Sequence, residues 1–374
     1  HGTLCDRRLQ RYHPFPFPRF CFGSSCGPVY LQHELRKPDE TEPRDTEYPS
    51  VFLSCHLKKG QAVVSRKTMS FFITLSAVAV MLLYAFPGFL LVKTGSIKAD
   101  HIVNFSKVLL YVCQPCLVIY TFGKIKYSPD TLGNFGWCFL LSLVLQTLPI
   151  LLCFQLFRKK RSDVLWRLIC VASVFSNCGF FGVPLLEKLL PDCPEAVIYS
   201  SIFALGMNMI GWSLGLYILS LDRKYISLKK IFITPNTIGF LVALPFYFTE
   251  FTIPDMLLDA ISLVGRMSTP LCMMILGMRL ATIPFRRIFG NWRQYFAVFL
   301  NQIVYPLLVF LILLFLPLDN ALKTTLVILC ACPVASLVQN YAEILGQGQE
   351  SAANIVLLGT ASSIVTVPLI CLLL

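Results

Sequence analysis

Asn177, Cys178, Gly179 and Gly182 sit together in VFSNCGFFGVPLL, residues 174–186, inside sequence that is otherwise apolar. An amide, two glycines and Pro184 interrupt what reads as one continuous helix. In lipid, backbone groups freed by such a break are tolerated only where they are buried in protein or line a cavity. The chemistry this supports is recognition rather than bond making. Freed N–H groups and the partly positive start of a half-helix attract a small anion, and Asn177 adds an amide donor and acceptor at that point. The bland alternative is a kinked helix whose Asn177 caps its own broken turn.

A second break lies at Ala-Cys-Pro, residues 331–333, where Pro333 removes a backbone donor. Ser336, Gln339 and Asn340 follow it, and Gln339 and Asn340 are the better candidates for contact with a ligand. Gln114 stands beside Pro115, and Ser268 and Thr269 stand beside Pro270. These three could line a cavity, or simply bond one helix to another. Arg266 lies four residues before Pro270. Its planar guanidinium suits a carboxylate; pairing with a nearby acid, or snorkelling outward, is the alternative. Glu343, near a helix end, reads more simply as a solvated carboxylate than as a proton carrier. Lys107 and Lys323 sit close enough to the ends of apolar runs to snorkel.

The elements that must hold these residues are membrane helices. The chain has 374 residues, 56% hydrophobic and 14% charged, against about 25% charged in soluble domains. Ten apolar runs approach the length of about 20 residues that a bilayer requires: 71–92, 102–122, 134–157, 164–186, 196–220, 231–249, 256–280, 293–316, 321–345 and 352–374. The net charge of +12 sits mostly in short loops between runs, so no nucleic-acid partner is expected. Most of the 15 cysteines fall within apolar runs, where Cys is a packing residue. Cys113 and Cys116 have CxxC spacing but lack the βαβ surroundings of a redox motif. None of the five histidines, His1, His13, His33, His56 and His101, is mid-run, and no cofactor or metal is called for. A phosphate-cradling GxxxxGK[ST] loop is missing as well.

Residues 1–68 are a different text, polar and Pro-rich, with no apolar segment and no periodicity. They read as an extension outside the working protein, disordered or non-native, with a genuine disordered tail as the alternative. The remainder divides into 69–220, a short linker at 221–230, and 231–374. Loop charge alternates. Arg158–Arg161, then Arg223, Lys224, Lys229 and Lys230, then Arg279, Arg286, Arg287 and Arg293 lie on one side. Glu187, Asp192 and Glu195, then Glu250 and Asp255, then Asp319 lie on the other. The positive-inside rule places the basic set in the cytoplasm and both ends of the ten-run core outside. Lys124 and Lys126 fall against this pattern.

The two halves resemble each other. Ala85-Phe-Pro87 recurs as Ala243-Leu-Pro245, Pro115 as Pro270, Pro149 as Pro306, and Ile202-x-x-Leu-Gly206 as Ile355-x-x-Leu-Gly359. Five runs is an odd number, so the second copy enters the membrane inverted. Inverted repeats with two broken helices meeting near the midplane are the plan of many secondary transporters. In that register Cys178 falls opposite Pro333.

At these residues the chain resembles the auxin efflux carrier family, over residues 69–374. SNCGFFGVPLL resembles its first crossover motif, TPNTIGFLVAL (234–244) the opening of its sixth helix, and ISLVGRMSTPLCMMILGMRLA (261–281) its seventh. ACPVASLVQNYAEIL (331–345) resembles the second crossover, and GTASSIVTVPL (359–369) a signature of its tenth helix. The resemblance implies an all-α polytopic fold of ten transmembrane helices as two inverted five-helix repeats, with helices 4 and 9 broken and crossing. It implies a scaffold of helices 1, 2, 6 and 7, a moving part of the other six, and a homodimer joined through the scaffold. It implies secondary transport of small organic anions such as carboxylates across the cell membrane, not enzymatic turnover, with the residue matching Asn177 on the substrate carboxylate. Plant members tend to carry Asp where Arg266 stands, and often a long central loop where this chain has about ten residues, so auxin itself does not follow. A non-transporting ligand or lipid sensor on the same fold is one alternative. A cation–proton antiporter is another; it would need an acid at the crossing, and neither break has one.

Overall fold

The computed structural model describes residues 71–123, 125, 127–226, 234–249, 253–282 and 290–374. The chain divides into two units, His1–Ser54 and Cys55–Leu374, and every described residue lies in the second. The reading of residues 1–68 therefore falls outside the described residues, as do Lys124, Lys126, Lys229, Lys230, Glu250, Arg286 and Arg287.

The described chain is helical, with no strand beyond one isolated antiparallel bridge between Ser176 and Val334. Among the described residues, seven helices are long and apolar enough to cross a membrane: α1 (Phe71–Lys93), α2 (Ala99–Phe122), α3 (Pro129–Leu156), α6 (Glu195–Ser220), α8 (Asp255–Thr282), α9 (Trp292–Leu314) and α12 (Gln349–Cys371). Two of the three other runs are interrupted, and the third is described only in part. The fourth splits into α4 (Val164–Ala172) and α5 (Val183–Leu189), the latter entered through a wide turn at Cys178–Gly182. The ninth splits into α10 (Asn320–Ala331) and α11 (Ser336–Leu345). The sixth, α7 (Pro235–Thr249), begins beyond residues that are not described. The third helix starts five residues earlier than its apolar run because Pro129, with φ preset and no N–H to satisfy, opens it.

Wide, π-type turns at Leu109–Cys113, Cys178–Gly182 and Leu300–Val304 each end two residues before a proline: Pro115, Pro184 and Pro306. A prolyl ring clashes with the carbonyl four residues back and lacks the N–H that would bond it. Widening the preceding turn is one way a helix absorbs the fault without ending.

Two groups of helices emerge from the packing. α1 lies along α8, and α2 lies against α7 and α8. Separately, α3 packs on α6, α9 on α4, α10 and α12, and α11 on α12. Between apolar helices in lipid, close approach matters more than burial of apolar area. Gly88 rests on the backbone of Met274 and Gly277 on the carbonyl of Ala85, with no room for a Cβ at either. The core of the second group is fully buried, with Leu168, Phe175, Phe181, Leu186, Phe203 and Tyr341 among its largest side chains.

Candidate functional site

The two breaks are bonded to each other. Asn177 N–H donates to the Pro333 carbonyl at 2.7 Å, and Ala335 N–H donates to the Phe175 carbonyl at 2.8 Å. This pair of bonds, with Ser176 and Val334 facing across it, satisfies groups that neither interrupted helix can satisfy alone. Side chains fasten the crossing further. The Ser176 hydroxyl donates to the Cys330 carbonyl at 3.0 Å, and Ser200 on α6 donates to the Cys178 carbonyl at 2.7 Å. Asn301 on α9 donates to the Ser176 hydroxyl at 3.4 Å.

Asn177 has φ −75° and ψ 60°, and its carbonyl accepts from the N–H groups of Phe181 and Gly182. Its side chain makes no capping bond, so the alternative of an Asn that caps its own turn does not hold. That half-buried side chain instead lines a cavity of about 310 Å³. Gly179 and Phe180, from the opening of one half-helix, line the same cavity, as do Ala335, Ser336 and Leu337 from the opening of the other. The first N–H groups of a helix have no intrahelical partner, and two such openings flank one space. Asn340, Gln114 and Asn208 add amides, while Tyr111, Met207 and Trp212 supply apolar wall.

A second cavity of about 40 Å³ shares Leu110, Asn177, Phe180, Ser336 and Asn340 with the first. It adds Cys272, Gln339 and Arg279. Arg279 is not a loop residue: α8 continues to Thr282. Its guanidinium donates to Glu343 at 2.6 Å, and Gln339 donates to the same carboxylate oxygen at 3.0 Å. Glu343 is thus a paired acid rather than a freely solvated one.

The other candidates fall as follows. Cys178 is fully buried with its thiol outside both cavities' linings. Gly182 allows close packing: a Cβ there would press on Leu329. Pro333 is buried and acts through its carbonyl. Ser268 is buried and bonds back to the Gly265 carbonyl. Thr269 donates to the Phe180 carbonyl at 3.2 Å, tying α8 to the crossing. Arg266 is exposed, donates to the Tyr120 hydroxyl at 2.8 Å, lies 5.3 Å from that ring and lines neither cavity. Among the described residues, no group of three or more His, Cys, Asp or Glu is arranged to hold a metal ion.

Sequence reasoning passed over Ser176, Ser200, Asn208, Trp212 and Arg279. Asn208 carried the same signal as Asn177, an amide within an apolar run. Ser176 and Ser200 carried none, because serine in a membrane helix commonly bonds its own backbone.

A family model described as a membrane transport protein matches residues 73–371. No curated protein matches the chain.

Proposed function

The chain belongs to the membrane transport protein family that includes the auxin efflux carriers, and from that premise we propose that it is a secondary carrier of small organic anions, carboxylates above all, working by alternating access. One observation carries the reading: the openings of two half-helices, held together by reciprocal backbone bonds, line one cavity with Asn177 and Asn340. Helix starts favour negative charge, and amides fix a carboxylate's orientation at little cost in selectivity between acids. Among the described residues, no Lys or Arg lines the larger cavity, so in this reading the anion is held by dipoles and hydrogen bonds and can leave again.

In this reading the ten apolar runs are ten spans in two inverted five-helix repeats, 69–220 and 231–374, joined by the linker at 221–230. α1, α2, α7 and α8 form the scaffold, through which a homodimer assembles. The remaining helices carry the crossing past it. The preference of each group for packing within itself supports that division. The basic loops face the cytoplasm and both ends of the core face outside.

The test is reconstitution of the protein in liposomes and measurement of transient currents on addition of acetate, malonate, malate or phenylacetate, with Asn177→Ala alongside. A saturable current for at least one acid, lost in the variant, is expected. Folded protein giving no current with any of the four would overturn the carrier reading and favour a ligand sensor.

A further inference from the structure

Three ion pairs join described residues. Lys224–Asp222 is local, and Arg293–Asp163 joins α9 to the residue that opens α4, within one helix group. Arg279–Glu343 alone, among the described residues, crosses from one group to the other, from α8 to α11. Its two partners are unequally placed. The Arg279 side chain is 12% exposed and that of Glu343 is 41% exposed. A guanidinium so far removed from water requires an anion, whereas a half-exposed carboxylate gives up its partner cheaply. The contact runs through a single oxygen, Oε1, which also accepts from Gln339. The planar fork of Arg279 thus has unused capacity for a carboxylate. Arg279 lines the small cavity, which shares Asn177, Ser336 and Asn340 as wall residues with the larger one.

We propose that Arg279 is a second anion subsite, on the path between the crossing and the basic-loop end of the bundle, and that Glu343 is a built-in carboxylate which the transported anion displaces. Arrival of substrate at Arg279 then breaks an ion pair that ties the two helix groups together, and departure restores it. Occupancy and tethering become mutually exclusive, which couples binding to the relative movement of the groups. This rests on the carrier reading above.

A simple tether and an exchangeable subsite make opposite predictions. Arg279→Gln and Glu343→Gln both remove the ion pair, so a tether alone gives both variants the same change. For a subsite, removing the competitor tightens binding and removing the cation weakens it. Half-saturation of the transient current is measured with malonate and with phenylacetate in the full-length protein. Glu343→Gln is expected to lower it about two- to fivefold, the worth of a weak ion pair, and Arg279→Gln to raise it by about tenfold or more. Arg279→Lys, which keeps the charge, is expected to fall between Arg279→Gln and the native protein; elution of each variant as a single species confirms folding. Shifts in the same direction, or no shift in either Gln variant, overturn the subsite while leaving the carrier intact. Absence of any current in the native protein overturns both.

Discussion

The peptide N–H of Asn177 donates to the carbonyl of Pro333 at 2.7 Å. Each of these residues sits in a helix interruption, and each interruption supplies what the other lacks. With the return bond from Ala335 to Phe175, the crossing is a short piece of antiparallel pairing inside a helical protein. Its main-chain groups are fixed before any ligand arrives, and the Asn177 side chain makes no capping bond there.

Asn177→Ala is therefore expected to damage anion binding far more than folding. A hydrogen bond to a charged group is worth about 1.5–3 kcal/mol, so half-saturation should rise by about 10-fold to 100-fold. The thermal midpoint in detergent should stay close to that of the native protein. Unfolding of the variant at markedly lower temperature would show that the side chain is structural.

Ser200→Ala should do the reverse. Its buried hydroxyl donates to the Cys178 carbonyl at 2.7 Å and lines neither cavity. Leaving that carbonyl without its side-chain donor costs about 1–3 kcal/mol. A lower thermal midpoint with near-native half-saturation is expected, read by melting and transport on the same preparation.

Gly277→Ala places a methyl group against the carbonyl of Ala85, and neither backbone can yield without moving α1 off α8. Overpacking of this kind costs about 1–3 kcal/mol. Gly133→Ala on α3, where nothing lies within 4 Å of the added carbon, should instead be neutral or gain up to about 1 kcal/mol of helix propensity. Equal melting temperatures for the two variants would contradict the close-packed seam.

Arg266→Ala is expected to leave half-saturation within about twofold of native, less than the tenfold that 1.4 kcal/mol represents, because Arg266 contacts Tyr120 and neither cavity. A tenfold rise in the same current assay would return Arg266 to the binding site.

Much of this was legible in the residues. Apolar runs of bilayer length marked the helices, because lipid forces every backbone group to be satisfied within its own segment. The placement of Asn177, Gly179 and Pro333 marked where that rule is broken. Asn177 stands in the first break, Gln114 beside Pro115 and Asn340 just after the second break, and all three line the larger cavity.

Long-range pairing was not legible. A run that is apolar on all sides carries little periodicity to say which face meets which neighbour. Arg279 counted with the basic loops because its position near a helix end is all that the sequence gives. Its partner Glu343 lies on a different helix, and Arg266, with the stronger local signal, turned to Tyr120 instead. The sequence by itself determined that the chain is a bundle of membrane helices with two interruptions. Only the tertiary structure decided that these interruptions complete each other, and which of the scattered polar side chains share one space. The reason is physical: interrupting a helix is a local property of Pro, Gly and Asn, whereas satisfying the groups thus freed requires atoms brought from the other half of the chain.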